Sequence, residues 1–379
     1  MTNKRQIYIE DSLLYAEEFF SELGEITRFA GDKITAEELI NADVLLTRST
    51  TQVNEKLLKQ ADKLAFIGTA TAGYDHIDGQ YIESKGKFWT AAPGCNADAV
   101  ADYVLSALFI IAGEHLFQIA DKTIAVVGAG QVGSRLINRL SVLGCKVLAF
   151  DPVRASMDPD FESADFEDVL KADVISCHVP LTQDDIHPTK LMFGAEQLAK
   201  MKSDVIFVNA CRGEIVDEEA LYAHMQSNPQ TKLVLDVFDN EPNIDTRILN
   251  LTTFASPHIA GHSLEGKARG TEMLYYSLCQ FWGIQPVHQL HDFLPPMRVE
   301  QIDMAKTTTF EQSILRKIIN LVYDIRDDNA WFKQAMKADP TQFKTLRRQY
   351  PIRREMTSLC VKHPVDAIQQ QLNTLSLRS

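Results

Sequence analysis

Closely spaced cysteines are missing. The chain has six (Cys95, Cys145, Cys177, Cys211, Cys279 and Cys360), and no two lie closer than 32 positions apart. That spacing excludes C-x-x-C zinc and redox motifs and gives no dense disulfide framework. Buried, reduced thiols in a cytoplasmic protein are the expectation. Long hydrophobic runs are also missing. The greasiest stretch, 99–112, is interrupted by Asp102 and is too short to span a bilayer. The opening residues carry no apolar run of signal-peptide length. No cluster of metal-ligating side chains is visible, so no metal is expected. Positive charge is scarce as well, with 38 Lys and Arg against 51 Asp and Glu, a net charge of −13. Such a chain repels phosphate backbones at long range, which argues against nucleic-acid binding. The deficit is uneven. Residues 1–285 carry a net −17, and the remainder from Pro286 a net +4.

What is present is ordinary globular composition, 45% hydrophobic and 23% charged, in 379 residues. That length suits two or three domains with sizeable cores. Apolar strands alternate with helical patterns through the first 260 residues. Gln6–Glu10 reads as a strand, 13–23 as an amphipathic helix, and 43–47 and 64–68 as strands with a helix between them. After a long helix over 97–112 the rhythm restarts. Strands are expected at 122–128, 146–151, 173–178, 205–210, 232–237 and 253–256, and helices at 132–143 and 266–282. This alternation predicts an α/β chain of parallel sheets covered by helices. From Pro286 the rhythm is lost, and a helix over 312–325 is expected among basic clusters.

Gly128-Ala-Gly130-Gln-Val-Gly133 is a G-x-G-x-x-G string with a strand before it and a helix after it. In that context the first glycine permits the tight turn and the second admits a pyrophosphate to the backbone. The third permits close helix packing, while the helix N-terminus favours negative charge. Eighteen residues beyond Gly133, the next strand ends in Asp151. A carboxylate there can accept ribose hydroxyls and repel a 2′-phosphate, so NAD is the expected cofactor.

Three downstream blocks carry a resemblance. They are His178-Val-Pro-Leu-Thr182, Asn209-Ala-Cys-Arg212-Gly213 running to Leu221, and Asp236-Val-Phe-Asp-Asn-Glu241-Pro242 joined to Pro257-His258-Ile-Ala-Gly261. With 68–78 and 92–103, they resemble the D-2-hydroxyacid dehydrogenase family. The resemblance implies two doubly wound, Rossmann-like domains with an interdomain cleft, and hydride transfer with NAD. It implies that Arg212 binds the substrate carboxylate, that His258 is the acid/base, and that Glu241 orients that ring and raises its pKa. Physically, a planar guanidinium suits a carboxylate, and an imidazole suits proton transfer near neutrality. The same resemblance places cofactor contacts at Gly128, Gly130, Gln131, Val132, Gly133, Asp151, Val179, Cys211, Asp236 and Gly261.

Within the family, Thr47-Arg-Ser49, 68–73, 258–270 and the tail stretches 321–328 and 343–359 resemble a branch with a C-terminal extension. That branch implies a small phosphorylated hydroxy acid as substrate, contacts from Ser49, Thr71, Arg212 and residue 262, and a homodimer formed through an α+β tail domain. One position departs from it: His262 stands where a tyrosine is usual. The expected domains are 1–94 with 262–285 for substrate, 95–261 for NAD, and 286–379 for dimerisation. Arg48, Lys267 and Arg269 are the nearest candidates, with Arg212, for a local positive field. Two other readings compete, a dehydrogenase for another acid such as 3-phosphoglycerate or glycerate, and an NAD-sensing corepressor of the same fold.

Overall fold

The structure, a computed structural model, describes residues 4–183, 186–305 and 311–379. It divides into two compact units, Met1–Asn96 with Ser263–Pro296, and Ala97–His262 with Met297–Ser379.

The first unit is built on β1 (Gln6–Glu10), β2 (Glu25–Phe29), β3 (Val44–Thr47), β4 (Phe66–Thr69) and β5 (Phe88–Thr90). They form one parallel sheet in the order β2-β1-β3-β4-β5. Every residue of β3 and β4 is buried, as a parallel sheet covered on both faces requires. The chain runs outward from β1 to β2 and then returns to β3 on the other side. The C-terminal ends of β1 and β3 therefore flank a topological switch point, the usual place for a ligand site. The helix Leu264–Trp282 covers one face; a Cβ at Gly68 would stand 2.9 Å from Leu274 Cδ2, so the close approach needs glycine. The edge strands β2 and β5 escape sequence reading because they are largely not fully buried, so no apolar run marks them. The helix expected over 13–23 is confined to Ala16–Phe20, because Tyr15 sits in the left-handed region at φ 57°.

The second unit holds β6 (Thr123–Val127), β7 (Lys146–Phe150), β8 (Val174–Cys177), β9 (Ile206–Asn209), β10 (Lys232–Leu235) and β11 (Phe254–Ala255). Their order is β11-β10-β9-β8-β6-β7, all parallel, with the switch point between β6 and β8. The helix Ala97–Glu114 is buried around nearly its whole circumference. Its one buried charge, Asp102, meets Arg139 of the helix Gln131–Val142 at 2.6 Å.

The tail adds a parallel pair, β12 (Gln301–Asp303) with β13 (Cys360–Lys362), and helices including Gln312–Val322 and Ile325–Ala338. The single helix expected over 312–325 breaks at Tyr323, which is extended, and Asp324 caps the following helix through Arg326 N–H. Leu315, Ile318, Met356 and Leu359 share one core with Val104, Leu108 and Ile124. Residues 297–379 thus pack into the second unit and 286–296 into the first, so the charge boundary at Pro286 is not the structural one.

Candidate active site

The glycine loop lies at the second unit's switch point. Gly128 has φ +92°, and a Cβ there would meet the His178 carbonyl oxygen at 2.6 Å. A Cβ at Gly133 would lie 1.8 Å from the Gly128 oxygen, so helix and loop touch only because both are glycine. Gly130 differs. Nothing lies within 4 Å of where its Cβ would be, which leaves that backbone open to an approaching group. The helix beginning at Gln131 and Val132 has no side-chain cap and no acidic residue in its first turn, so its N-terminal amides and dipole are uncompensated.

A cavity of about 660 Å³ runs along this loop past Asp151, His178 and Val179. Burial pushes the His178 ring down to about 3, so it is neutral; Nε2 pairs with Ser176 while the buried Nδ1 has no partner. An open glycine, an uncompensated helix end and an orphaned polar atom together fit a dinucleotide. Asp151 already accepts two backbone amides, Ala129 N–H at 2.9 Å and Arg154 N–H at 2.9 Å. It therefore fixes the glycine loop as well as bordering the cavity.

The three residues expected to carry chemistry stand at the ends of β9, β10 and β11. Glu241 Oε2 lies 2.8 Å from His258 Nδ1, a proximity that their spacing in sequence could not give. Glu241 Oε1 accepts the Phe238 amide, which holds the carboxylate in place. With Nδ1 so engaged, Nε2 of the partly exposed ring is the atom left for proton transfer. His258 itself is strained, with φ +58°. Asp236 supports it. Its main-chain oxygen accepts His258 N–H, and its buried carboxylate accepts Ile259 N–H, Ala260 N–H and the Ser256 hydroxyl. Tyr103 lies behind, 2.9 Å from Ser256. The structure thus gives Asp236 an anchoring task that the sequence reading did not foresee.

Arg212 follows the β9 end and donates to the Cys211 carbonyl at 2.8 Å. The next residue, Gly213, is so close to Phe238 that a Cβ would sit 2.0 Å from its carbonyl carbon, which packs the Arg212 loop on the turn leading to Glu241. Cys211 is buried, and burial pushes its thiol up to about 11, which keeps it protonated near neutral pH. Gly261 closes the His258 loop, and His262 has its ring 6.3 Å from that of Tyr350.

In the first unit, Ser49 is exposed in the loop after β3. That loop is organised by Glu10, 2% exposed at the end of β1. Its carboxylate accepts Arg48 N–H at 2.6 Å and the hydroxyls of Ser12, Thr50 and Thr51. Those hydrogen bonds hold the Glu10 carboxyl below its ordinary range despite its burial. Thr71 lies at the end of a relay. Its hydroxyl donates to Gly73 O at 2.8 Å and accepts from Thr69, which in turn accepts from His76 Nε2–H at 2.8 Å. Burial lowers the His76 pKa, in keeping with that neutral role. The Thr71 proton is therefore spent locally, and a lone pair is what the hydroxyl has left to offer. Glu10 lies outside every motif, and the block 68–78 assigns His76 no role; only the fold reveals what the two residues do.

Comparison with known proteins settles the family. Residues 111–260 match the model of the D-isomer specific 2-hydroxyacid dehydrogenase NAD binding domain, and residues 293–376 match a domain of unknown function. An erythronate-4-phosphate dehydrogenase of Pseudoalteromonas atlantica is 42% identical over 94% of this chain and 95% of its own length. The chain belongs to the erythronate-4-phosphate dehydrogenase family. A second member, from Psychromonas ingrahamii, is 40% identical over 95% of this chain and 93% of its own length. Among solved structures, a D-lactate dehydrogenase from Aquifex aeolicus complexed with NAD and lactic acid is 25% identical, with a TM-score of 0.58 over 73% of this chain and 95% of its own. Members of this family are D-isomer specific 2-hydroxyacid dehydrogenases, and the glycine loop, Asp151 and the cavity between them are where the NAD of such an enzyme fits.

Proposed function

We propose that this chain oxidises 4-phospho-D-erythronate to 2-oxo-3-hydroxy-4-phosphobutanoate with NAD, a step of pyridoxal 5′-phosphate biosynthesis. The observation that carries the reading is the His258–Glu241 pair at 2.8 Å in the unit that holds the dinucleotide cradle. What NAD supplies when bound is the acceptor for the substrate's hydride. Arg212 binds the carboxylate in a bidentate grip and so orients the hydroxyl-bearing carbon for hydride transfer. His258 Nε2 takes the hydroxyl proton, and the Glu241 carboxylate, facing Nδ1, stabilises the imidazolium that forms. Ser49 and Thr71 are assigned to substrate oxygens, Arg48 and Lys267 to its negative charge, and His262 to the place of the usual tyrosine. The enzyme is proposed to be a cytoplasmic homodimer joined through its tail; among the described residues no helix is long and apolar enough to cross a membrane.

The test is a substrate panel of 4-phospho-D-erythronate, 3-phosphoglycerate and D-glycerate, followed as NAD reduction. Turnover of the first, reduced by about 10²–10⁴-fold in His258→Ala, is expected. Turnover of only the other two rejects the substrate assignment.

A further inference from the structure

The C-terminal segment grips the two flanks of the His258 loop. Ahead of it, Lys333 Nζ donates to Thr252 O at 2.6 Å, and Asn329 Oδ1 accepts Ala255 N–H at 3.0 Å on β11. Behind it, Arg353 Nη1 donates to Ala260 O at 3.0 Å. The other end of the same guanidinium, Nη2, donates to Ala99 O at 2.6 Å on the helix Ala97–Glu114. Arg353 is 5% exposed, and its guanidinium carbon stands 3.5 Å over the ring of Tyr323. The supporting rings are fixed in turn, since the hydroxyls of Tyr323 and Tyr350 both donate to Asp328 Oδ2, at 2.8 and 2.7 Å.

Burying a guanidinium is costly unless its hydrogen bonds are worth the desolvation. Here the charge sits within the field of Asp102 and Asp328, and its fork joins two main-chain carbonyls from separate elements. A lysine could not reproduce this, because a point ammonium has neither the plane to lie on Tyr323 nor two parallel donors. What the fork steadies is residue Ala260, whose carbonyl it holds and whose N–H is bound by Asp236, two residues from a strained His258. A left-handed non-glycine residue persists only where its surroundings over-determine it.

We propose that the C-terminal segment, whose family model is a domain of unknown function, buttresses the catalytic loop within its own chain, and that Arg353 is a positioning residue for His258. Arg353 touches no reacting atom; it sets where the imidazole stands. The inference rests on His258 being the base of the proposed reaction.

The experiment compares wild type with Arg353→Met and Arg353→Lys, full length and NAD-saturated. The first readout is the primary deuterium isotope effect on kcat with 4-phospho-D-erythronate deuterated at C2. A displaced base slows the chemical step, so kcat should fall about 10²-fold, the isotope effect should rise, and the KM for NAD should stay within twofold. A merely smaller folded fraction would lower kcat and leave the isotope effect unchanged. The second readout, amide hydrogen exchange over residues 257–261, needs no substrate. It should accelerate at least tenfold in both variants while the glycine loop 128–133 stays protected. Should Arg353→Met not fold, Arg353→Lys carries the decision. A folded variant with kcat within twofold of wild type, or with unchanged isotope effect and unchanged exchange, overturns the proposal. Should wild type not oxidise 4-phospho-D-erythronate, the substrate reading fails and the exchange comparison alone decides the buttress.

Discussion

Single residues in this chain act through the company the fold gives them. Lys267 shows it most directly. It lies in the first turn of the helix Leu264–Trp282, where burial, and next the positive charge of Arg48, lower its pKa to about 8. A lysine with a depressed pKa is charged below that value and neutral above it. If Lys267 holds the substrate's anionic end, affinity should be full near pH 7 and weaken as pH rises through 8, by about tenfold in all for loss of one charge-assisted hydrogen bond. Calorimetric titration of 4-phospho-D-erythronate between pH 7 and 9.5 measures this. Lys267→Met should bind weakly at every pH, and a slope that survives in that variant removes Lys267 from the site. The residue was legible as a nearby cation. Its titration near neutral pH was not, because burial is decided by what packs around it.

At the scale of elements, β6, the glycine loop and the helix after it form a unit whose three glycines each answer a different distance. The strand, turn and helix were readable because periodicity and the G-x-G-x-x-G string agree. Asp151 was readable as the strand-end acid, but its hold on Ala129 N–H and Arg154 N–H was not. Asp151→Ala should therefore do two things. Loss of the ribose partner should raise the KM for NAD about tenfold and admit measurable turnover with NADP. Loss of the cap on the helix Pro152–Met157 should cost about 1 kcal/mol, visible as a lowered Tm. Unchanged cofactor preference would mean that Asp151 serves the loop alone. The edge strands β2 and β5 were illegible for the opposite reason, since they are largely not fully buried and no apolar run marks them; nor does the apolar pattern over 312–325 announce the break at Tyr323.

For the whole molecule, composition drew a line at Pro286 between acidic and basic parts, and packing draws it elsewhere. Leu315, Ile318, Met356 and Leu359 share one buried core with apolar residues of the helix Ala97–Glu114. A chain ending at Pro296 would expose that apolar helix to water, at roughly 25 cal/mol per Å² of uncovered surface. It should be insoluble or lack a cooperative melt, and bind NAD at least tenfold more weakly. A soluble truncated chain with wild-type NAD affinity would show the tail to be an independent module.

The amino-acid sequence by itself determined the doubly wound α/β plan and the dinucleotide loop, and it singled out Arg212, Glu241 and His258 as candidates, because period, glycine placement and motif are local properties of a chain. Only the tertiary structure decided that Glu241 meets His258, that Glu10 shapes the Ser49 loop and that Arg353 reaches Ala260 O. These pairings join residues 17 to 93 positions apart, and contact at such separations is set by which strands lie side by side and which side chains the core leaves room to bury.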